Sequence, residues 1–416
     1  MKKLFKNKKV VVMGLGLIGG GVGVVKFFAK QGAKVLVTDL RTKKELKPSL
    51  EKLKNLSIKF VLGKHRKEDF INADLIVKNP GVTPDSPYLK IAKKNKVPIT
   101  TDIKLFFDLC KGLIIGVTGT KGKSTTATLI YKFLKTKYPD TVLAGNIGKT
   151  PLEALSRIKK RTKVVLELSS FELEDLKKSP HVAVVTNLFP DHLNRYKNFK
   201  EYIKAKKSIF KYQTKNDILI LNKDNFYTRK LAKEVESRVY FFSEESKNEA
   251  AILTAKLFRI PQKNIEKVLL KFKGLPSRQE FVLEKGKVKY FNDTTATTPQ
   301  SVILAIRNFK KKFPESCLIL IAGGQDKGLN YKQLANEVRK SVKHLILLPG
   351  TASDKLAKEL GSFNIIRVKS MKEAVKKAKN LAQKRDIILL SPGAASFNLF
   401  KNEFDRGEQF RRAAMS

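Results

Sequence analysis

Residues 116–125 read Gly-Val-Thr-Gly-Thr-Lys-Gly-Lys-Ser-Thr and lie between an apolar run, Leu113–Val117, and a pattern typical of a helix. Their Gly-Lys-Ser core is that of a phosphate-binding loop. In such loops backbone N–H groups at a helix start bind phosphate, the lysine (Lys123) neutralises its charge and the hydroxyl (Ser124) can coordinate Mg²⁺. Strict spacing would place glycine at position 117, where this chain has valine. The stretch therefore predicts a variant phosphate loop whose turn is supplied by Gly119.

Short β-branched runs alternate with amphipathic stretches along the whole chain. This alternation predicts an α/β fold with mainly parallel sheets covered by helices on both faces. Strands are predicted at Val10–Met13, Val35–Thr38, Leu75–Val77, Leu113–Thr118, Val164–Leu168, Val182–Thr186, Ile218–Leu221, Leu318–Ala322, His344–Leu348, Ile365–Val368 and Ile387–Leu390. Helices are predicted at Ser124–Leu134, Asn198–Phe210, Asn264–Phe272 and Met371–Gln383, among others.

The length of 416 residues predicts two or three domains. The sequence divides best into three blocks, residues 1–101, 102–274 and 275–416. The first block begins with a strand and a glycine loop, and the second contains the phosphate loop. The third opens at a turn signal, Gly274-Leu-Pro-Ser-Arg278, that follows a helical pattern.

A second glycine loop, Gly14-Leu-Gly-Leu-Ile-Gly19, follows the first predicted strand and opens a helix, and Asp39 ends the next strand. This arrangement matches the dinucleotide fingerprint, in which glycines admit a pyrophosphate and the acid takes a ribose hydroxyl. It predicts a diphosphate-containing nucleotide, either NAD or a UDP-sugar. The alternative is a tight turn that only packs.

Two further side chains follow predicted strands and could serve Mg²⁺ beside the phosphate loop. Glu167 ends an apolar strand, and His192 follows the strand that ends at Thr186. Functional side chains of α/β proteins gather at the carboxyl ends of strands. We therefore interpret both as site residues and not as solvated or core side chains.

The chain carries 85 Lys and Arg residues against 38 Asp and Glu residues, a net charge of +47. Nucleic-acid-binding proteins concentrate such charge in patches, whereas these lysines are spread along the whole sequence. We expect no specific nucleic-acid partner, no membrane span and a monomer. Two cysteines are too few for a disulfide framework or a thiolate zinc site, which favours a reducing cytoplasm.

Several motifs in order resemble those of the Mur ligases of peptidoglycan synthesis, and the resemblance covers essentially the whole chain. They are the phosphate loop 119–124, Gly145-Asn-Ile-Gly148, Glu167-Leu-Ser-Ser-Phe171, Asp191-His192, Gly274-Leu-Pro-Ser-Arg278, Asn292-Asp293, Gly323-Gly-Gln-Asp-Lys327 and Ser391-Pro-Gly-Ala-Ala-Ser396.

The resemblance implies a Rossmann-like domain for a UDP-substrate, a central ATPase and a Rossmann-like domain for an amino acid. It implies that ATP phosphorylates the alanine carboxylate of UDP-N-acetylmuramoyl-L-alanine and that a glutamate amine then attacks the acyl phosphate. D-glutamate is the favoured acceptor, and a homologous ligase for L-glutamate is the alternative. An NAD-dependent dehydrogenase and a nucleic-acid-binding ATPase are rivals of other classes.

Carried over by motif position, the resemblance assigns roles to residues of this chain. Catalytic roles fall to Lys123, His192, Lys206 and Arg278. ATP would contact Gly119, Thr120, Lys121, Gly122, Lys123, Ser124, Thr125, Asn248, Arg278 and Asp293. The UDP-substrate would contact Leu17, Ile18, Asp39, Arg41, Asn79, Gly81, Asn146 and Ser169. Glutamate would contact Thr297, Lys327, Ser396 and Phe397. Mg²⁺ would be held by Ser124, Glu167, His192 and Lys206, with Lys206 carbamylated.

Three residues depart from the pattern of the family. Lys121 stands where the phosphate loop usually has asparagine, Thr295 where many members have lysine, and Glu403 at a position usually aromatic. The last two departures fall near the expected acceptor pocket, so they bear on the choice between D- and L-glutamate.

Overall fold

The computed structural model describes residues 3–17, 19–193, 195–246, 248–396 and 399–416. Three sheets are formed, one in each block of the sequence. The chain folds as two compact units, one made of Met1–Leu188 and Ile203–Leu270, the other of Phe189–Tyr202 and Lys271–Ser416. The first unit contains the first two sheets, and the second contains the third sheet together with the short segment Phe189–Tyr202.

The first sheet has five parallel strands in the order β3-β2-β1-β4-β5. Its core includes Val11, Met13 and Ile76, which the helices cover. The elements are β1 Lys9–Met13, α1 Gly20–Lys30, β2 Lys34–Asp39, α2 Lys43–Leu50, β3 Lys59–Leu62, α3 Lys67–Ile71, β4 Leu75–Lys78, α4 Pro87–Lys94, β5 Ile99–Thr100 and then α5 Asp102–Leu109.

The second sheet has six parallel strands in the order β11-β10-β9-β6-β8-β7. The elements are β6 Leu113–Thr118, α6 Lys123–Lys135, β7 Val142–Gly145, α7 Pro151–Ala154, β8 Lys163–Glu167, α8 Ser170–Leu173, β9 Val182–Val185, α9 Phe199–Lys207, β10 Ile218–Asn222, α10 Phe226–Leu231, β11 Arg238–Phe242, α11 Glu249–Leu257 and α12 Gln262–Lys271. Strand β6, which leads into the phosphate loop, lies between β8 and β9.

The third sheet has six strands in the order β12-β13-β17-β14-β15-β16. The elements are β12 Glu280–Lys285, β13 Val288–Asn292, α13 Pro299–Lys312, β14 Leu318–Gly323, α14 Lys332–Ser341, β15 His344–Leu348, α15 Thr351–Leu360, β16 Ile365–Arg367, α16 Met371–Leu381, β17 Ile387–Leu390 and α17 Glu403–Met415. Apolar clusters cover both faces of the sheet.

The predicted α/β class and mainly parallel sheets are confirmed, and each predicted strand is present within one or two residues of its expected bounds. Six strands were not predicted, among them the antiparallel hairpin β12–β13 at the edge of the third sheet. Its turn places Gly286 and Lys287 at φ 60° and 64°, a geometry typical of a two-residue hairpin loop. Within the described ranges, no helix has the length and apolar character that a membrane crossing requires.

Candidate active site

The phosphate loop joins β6 to α6 and is held in place by the residues that follow β9. The N–H groups of Thr120 and Lys121 donate to the backbone oxygen and the side-chain Oδ1 of Asn187, both at 2.8 Å. The hydroxyl of Thr186 donates to the backbone oxygen of Lys121 at 2.5 Å. Gly119 adopts φ 143°, and a Cβ there would overlap Thr186 Oγ1. Thr186 and Asn187 were not predicted as loop-holding residues, because only the fold brings them to the loop.

The start of α6 has the features of an anion site. Its N-cap is Gly122 at φ 81°, and no side chain caps this end of the helix. The first-turn N–H groups of a helix have no partner within the helix and carry partial positive charge. Lys123 donates from Nζ to the backbone oxygen of Thr120 at 3.0 Å, and Ser124 is buried. The predicted cation and hydroxyl are thus placed together at one helix start.

Glu167 and Lys206 lie at the same edge of the second sheet as the phosphate loop. Glu167 pairs in register with Val117 at the end of β8, and its buried Oε2 has no hydrogen-bond partner among the described residues. Lys206 on α9 is buried, and its Nζ donates to Thr118 Oγ1 at 3.2 Å and to the backbone oxygen of Gly119 at 3.0 Å. The fold therefore brings three predicted metal-site residues, Ser124, Glu167 and Lys206, into one unit.

A buried carboxylate oxygen without a hydrogen-bond donor is costly unless a cation or another donor meets it. Oε2 of Glu167 fits a hard divalent cation for this reason, because such cations select oxygen ligands. Among the described residues, no group of three or more His, Cys, Asp or Glu side chains forms a metal site by itself. The ligand set would need further oxygens, such as those of a nucleotide phosphate or a modified Lys206.

His192 belongs to the second compact unit, together with the expected glutamate residues. It adopts φ 55°, and left-handed backbone in a residue other than glycine is enriched at functional sites. Its Nε2 lies 3.7 Å from Asp191 Oδ2. Lys327 Nζ lies 3.6 Å from Asp191 Oδ1 and donates to Thr297 Oγ1 at 3.1 Å. The structure thus joins His192 to Lys327 and Thr297 through Asp191, for which the sequence predicted no separate role.

Three loops with predicted site residues follow neighbouring strands of the third sheet. They carry Asp293 after β13, Lys327 after β14 and the buried Ser396 after β17. The carboxylate of Asp293 accepts hydrogen bonds from Gln279 N at 3.2 Å and Ser391 Oγ at 2.9 Å. Half-buried Arg278 lies beside Gln279, in the turn that Asp293 holds. The parallel order places all of these groups at the carboxyl edge of one sheet, where α/β proteins bind ligands.

Two of the three departures from the family pattern, Thr295 and Glu403, lie in this unit, while Lys121 lies in the phosphate loop of the first unit. Thr295 donates from Oγ1 to the backbone oxygen of Ser277 at 2.9 Å, and Glu403 begins α17, where its backbone oxygen accepts from Thr294 Oγ1 at 2.7 Å. The guanidinium of Arg406, fully buried, donates to the backbone oxygens of Thr294 and Ala394. Arg406 was missed because a single arginine in a helical pattern gives no sign of burial.

In the first glycine loop, Asp39 has a structural role that the fingerprint did not predict. Its Oδ2 accepts from the N–H groups of Leu15 at 2.8 Å and Gly16 at 3.1 Å, and its Oδ1 accepts from Arg41 N at 2.9 Å. Nη1 of the Arg41 guanidinium lies 3.7 Å from the same Oδ1 of Asp39. Asp39 therefore fixes the loop backbone, while Leu17 in the same loop is exposed.

Two of the glycines that continue this loop serve close packing. A Cβ at Gly21 would overlap the backbone oxygen of Leu15, and a Cβ at Gly23 would overlap the side chain of Thr150 at the start of α7. The glycine-rich start of α1 thus reflects contact with its own loop and with the second sheet's helices. The packing interpretation holds for these two positions.

Two segments of the second sheet that were predicted to meet the UDP-substrate are joined by Glu172. Its Oε2 accepts from Asn146 Nδ2 at 2.9 Å, from Ser169 N at 2.7 Å and from Ser169 Oγ at 2.6 Å. Burial, with the charges of Asp102 and Glu167 nearby, raises the pKa of Glu172 to about 7. Burial likewise raises the pKa of Asp102 to about 6.

The remaining predicted residues are placed as follows. Asn79 donates from its backbone to Met13 O at 2.9 Å, and its Oδ1 accepts from Gly81 N at 3.0 Å. Thr125 lies in the first turn of α6, and Asn248 is the N-cap of α11 at φ 64°. Ile18 and Phe397, predicted for the UDP-substrate and for glutamate, lie outside the described residues.

The protein has three mainly parallel sheets, and the middle one carries a phosphate loop and a buried carboxylate at its carboxyl edge. These features define a multidomain nucleotide-binding α/β protein. The chain belongs to the Mur ligase family. Residues 8–101 match the Mur ligase MurD-like N-terminal domain, residues 117–275 the Mur ligase middle domain and residues 277–393 the Mur ligase glutamate ligase domain.

Similar proteins cover the chain from end to end. A UDP-N-acetylmuramoylalanine--D-glutamate ligase of Roseiflexus sp. (strain RS-1) is 40% identical, with 99% of each chain covered. The protein of the same name from Borreliella burgdorferi (strain ZS7) is 38% identical, with 98% of this chain and 97% of the relative covered.

Solved structures show the same fold at lower identity. The UDP-N-acetylmuramate-alanine ligase MurC from Thermotoga maritima superposes with a TM-score of 0.64 at 18% identity, covering 98% of this chain and 99% of its own. The MurF ligase from Thermotoga maritima in complex with ADP gives a TM-score of 0.59 at 17% identity, covering 100% and 96%.

Proposed function

We propose that this protein is an ATP-dependent ligase that adds D-glutamate to UDP-N-acetylmuramoyl-L-alanine. The observation that carries the proposal is full-length similarity, at 38–40% identity, to ligases named for D-glutamate addition. The phosphate loop accounts for the use of ATP. The same relatives disfavour L-glutamate as the acceptor, and a dehydrogenase would leave the Lys123 loop without a role.

The domain assignment follows the three sheets. Residues 1–101 would bind the UDP-substrate, residues 102–274 would bind ATP and residues 275–416 would bind glutamate. The matched family regions support these bounds, since the first ends at residue 101, the second ends at residue 275 and the third begins at residue 277. The short segment Phe189–Tyr202 is the exception, because it packs within the unit of the third sheet.

The reaction needs positioning and charge neutralisation more than an elaborate nucleophile. The alanine carboxylate of the UDP-substrate attacks the γ-phosphorus of ATP, and ADP leaves. Lys123 and the first-turn N–H groups of α6 offset the charge on the transferred phosphoryl group. The amine of glutamate, after losing a proton, attacks the acyl carbon, and phosphate leaves with the carboxylate oxygen.

Mg²⁺ would be held by Ser124 and Glu167, with His192 and a carbamylated Lys206 completing the set, and it would neutralise charge on the phosphates. Buried Oε2 of Glu167 supports this assignment. A carbamate on Lys206 would replace an ammonium by a carboxylate-like group, which a cation would attract instead of repel. Arg278, Asp293 and Asn248 are proposed for ATP.

For glutamate we propose Lys327, Thr297, Ser396 and Phe397. Lys327 and Thr297 support the assignment, since an ammonium and a hydroxyl in mutual contact suit a carboxylate. We propose that the enzyme works in the cytoplasm as a monomer.

The test is phosphate release from ATP with UDP-N-acetylmuramoyl-L-alanine and a panel of amino acids. D-glutamate should be the preferred acceptor, with L-glutamate and glutamine far behind. Equal turnover with D- and L-glutamate, or turnover that requires a polynucleotide, would refute the proposal.

A further inference from the structure

An ion pair joins the first sheet to the second at the point where two proposed substrate segments meet. Lys78 ends β4, and its Nζ lies 2.6 Å from Oδ2 of Asp175, which follows α8. The Lys78 side chain is 5% exposed and that of Asp175 is 36% exposed. Neither residue was predicted as functional, because only the fold brings the end of β4 to the residues that follow α8.

The residues next to this pair are those proposed for the UDP-substrate. Asn79 and Gly81 directly follow Lys78, whose Nζ also lies 3.5 Å from the backbone oxygen of Val82. On the other side, Asp175 directly follows Glu174, the C-cap of the short helix α8, whose N-cap is Ser169. The pair therefore ties the loop after β4 to the segment after β8.

Burial makes this pair a strong geometric constraint. An ammonium removed from water is costly unless an anion meets it, so Lys78 holds its loop where Asp175 can be reached. A close helix contact acts at a second point of the same junction, where Gly23 of α1 admits Thr150. Glu172, in the same segment as Asp175, holds Ser169 and Asn146 to each other.

We propose that Lys78 and Asp175 are positioning residues for the UDP-substrate, a role that rests on the proposed function. They fix the Asn79–Gly81 loop relative to Ser169. The UDP-substrate then contacts both segments without the entropic cost of ordering them on binding. Their loss weakens binding of the UDP-substrate and leaves ATP binding and the chemical steps unchanged.

The experiment compares steady-state kinetics of Asp175→Asn with those of the wild type. We expect the KM for UDP-N-acetylmuramoyl-L-alanine to rise about tenfold, since small misplacements of a binding group are costly. The KM for ATP and kcat stay within twofold. Lys78→Met/Asp175→Asn leaves no lone buried charge, and the KM for the UDP-substrate should rise no further in it than in Asp175→Asn. This double variant decides the matter if Asp175→Asn does not fold.

Asp108→Asn is the matched control. It breaks the pair between Lys178 and Asp108, which has the same 2.6 Å separation but is exposed on both sides. The KM for the UDP-substrate should not change in this variant. An unchanged KM in Lys78→Met/Asp175→Asn, or equal losses for ATP and in kcat, would overturn the proposal.

Calorimetric titration of the UDP-substrate separates this proposal from the proposed function. Wild-type binding without turnover would refute the ligase activity, while a tenfold affinity loss in the double variant would still uphold the positioning role. Turnover by the wild type with equal affinity in the double variant would refute the positioning role alone.

Discussion

The two glycine loops of the first compact unit follow the same local plan, a buried strand, a turn with glycines at positive φ and a helix capped by glycine. They differ in which groups hold the backbone. A carboxylate, Asp39, holds the first loop through its N–H groups. Neutral Thr186 and Asn187 hold the second loop, and Lys123 adds a cation.

The difference decides which ligand each loop can accept. In the first loop the Asp39 carboxylate already engages the N–H groups of Leu15 and Gly16, so those two groups are not open to a phosphate in the way that the start of α6 is. A phosphate at the second loop would meet a helix start and an ammonium, both attractive. Similar glycine patterns thus predict the same turn, while the side chains brought in by the fold decide the chemistry.

The largest effect should come from Lys206, which lies against the second loop. Lys206→Ala should nearly abolish ligation because the carbamate proposed as a metal ligand is lost, and acetate should restore part of the activity by filling the space. Binding of the UDP-substrate should persist. Ligation rates of Lys204→Ala on the exposed face of the same helix serve as control, and a greater loss there would show that the wrong lysine was chosen.

Replacing Lys123 by alanine should lower ligation by about 100-fold or more, because the charge of the transferred phosphoryl group is no longer offset. Phosphate release at saturating substrates measures the effect. A rate within tenfold of the wild type would mean that the second loop does not serve phosphoryl transfer, and the contrast between the loops would fail.

Lys327 lies in neither loop and should therefore affect the third substrate alone. Lys327→Ala should raise the KM for glutamate about tenfold, because the charge-assisted hydrogen bond proposed to its carboxylate is lost. The KM for ATP should stay near the wild-type value. Equal turnover of glutamine and glutamate by the wild type would contradict the assignment of Lys327 to the glutamate pocket.

A substitution in the region of the first loop should act mainly on the stability of the folded protein. Asp39→Asn removes the charge from buried hydrogen bonds and should lower the free energy of unfolding by about 2 kcal/mol, measured by urea denaturation. The KM for the UDP-substrate should rise and that for ATP should not. The reverse pattern would show that the loops had been assigned the wrong ligands.

The smallest effect concerns pH. The pKa of Glu172 is raised from 4.5 to about 7, so the folded state favours the protonated form. The stability from this group is present below pH 4.5 and is lost as pH rises towards 7. Glu172→Gln should therefore gain stability relative to the wild type between pH 5 and pH 8. Parallel unfolding curves of the two proteins over this range would contradict the raised pKa.

Features set by short stretches of sequence were predictable, and those set by distant contacts were not. The turn and helix start at residues 119–124 and the apolar strands were correctly predicted, since each depends on local pattern. The β12–β13 hairpin was missed because apolar and charged residues alternate within its strands, and this polar pattern resembles that of a loop. The internal role of Asp39, the Glu172 bonds and the Lys78–Asp175 pair depend on which segments the fold brings together.

The second loop is proposed to hold ATP while its γ-phosphoryl group moves to the alanine carboxylate of the UDP-substrate. The direct measurement uses substrate with ¹⁸O in that carboxylate and follows the label by mass spectrometry of the released phosphate. An acyl phosphate intermediate predicts that each phosphate released during ligation with D-glutamate carries one labelled oxygen. Unlabelled phosphate, formed while the amide accumulates, would contradict an acyl phosphate intermediate.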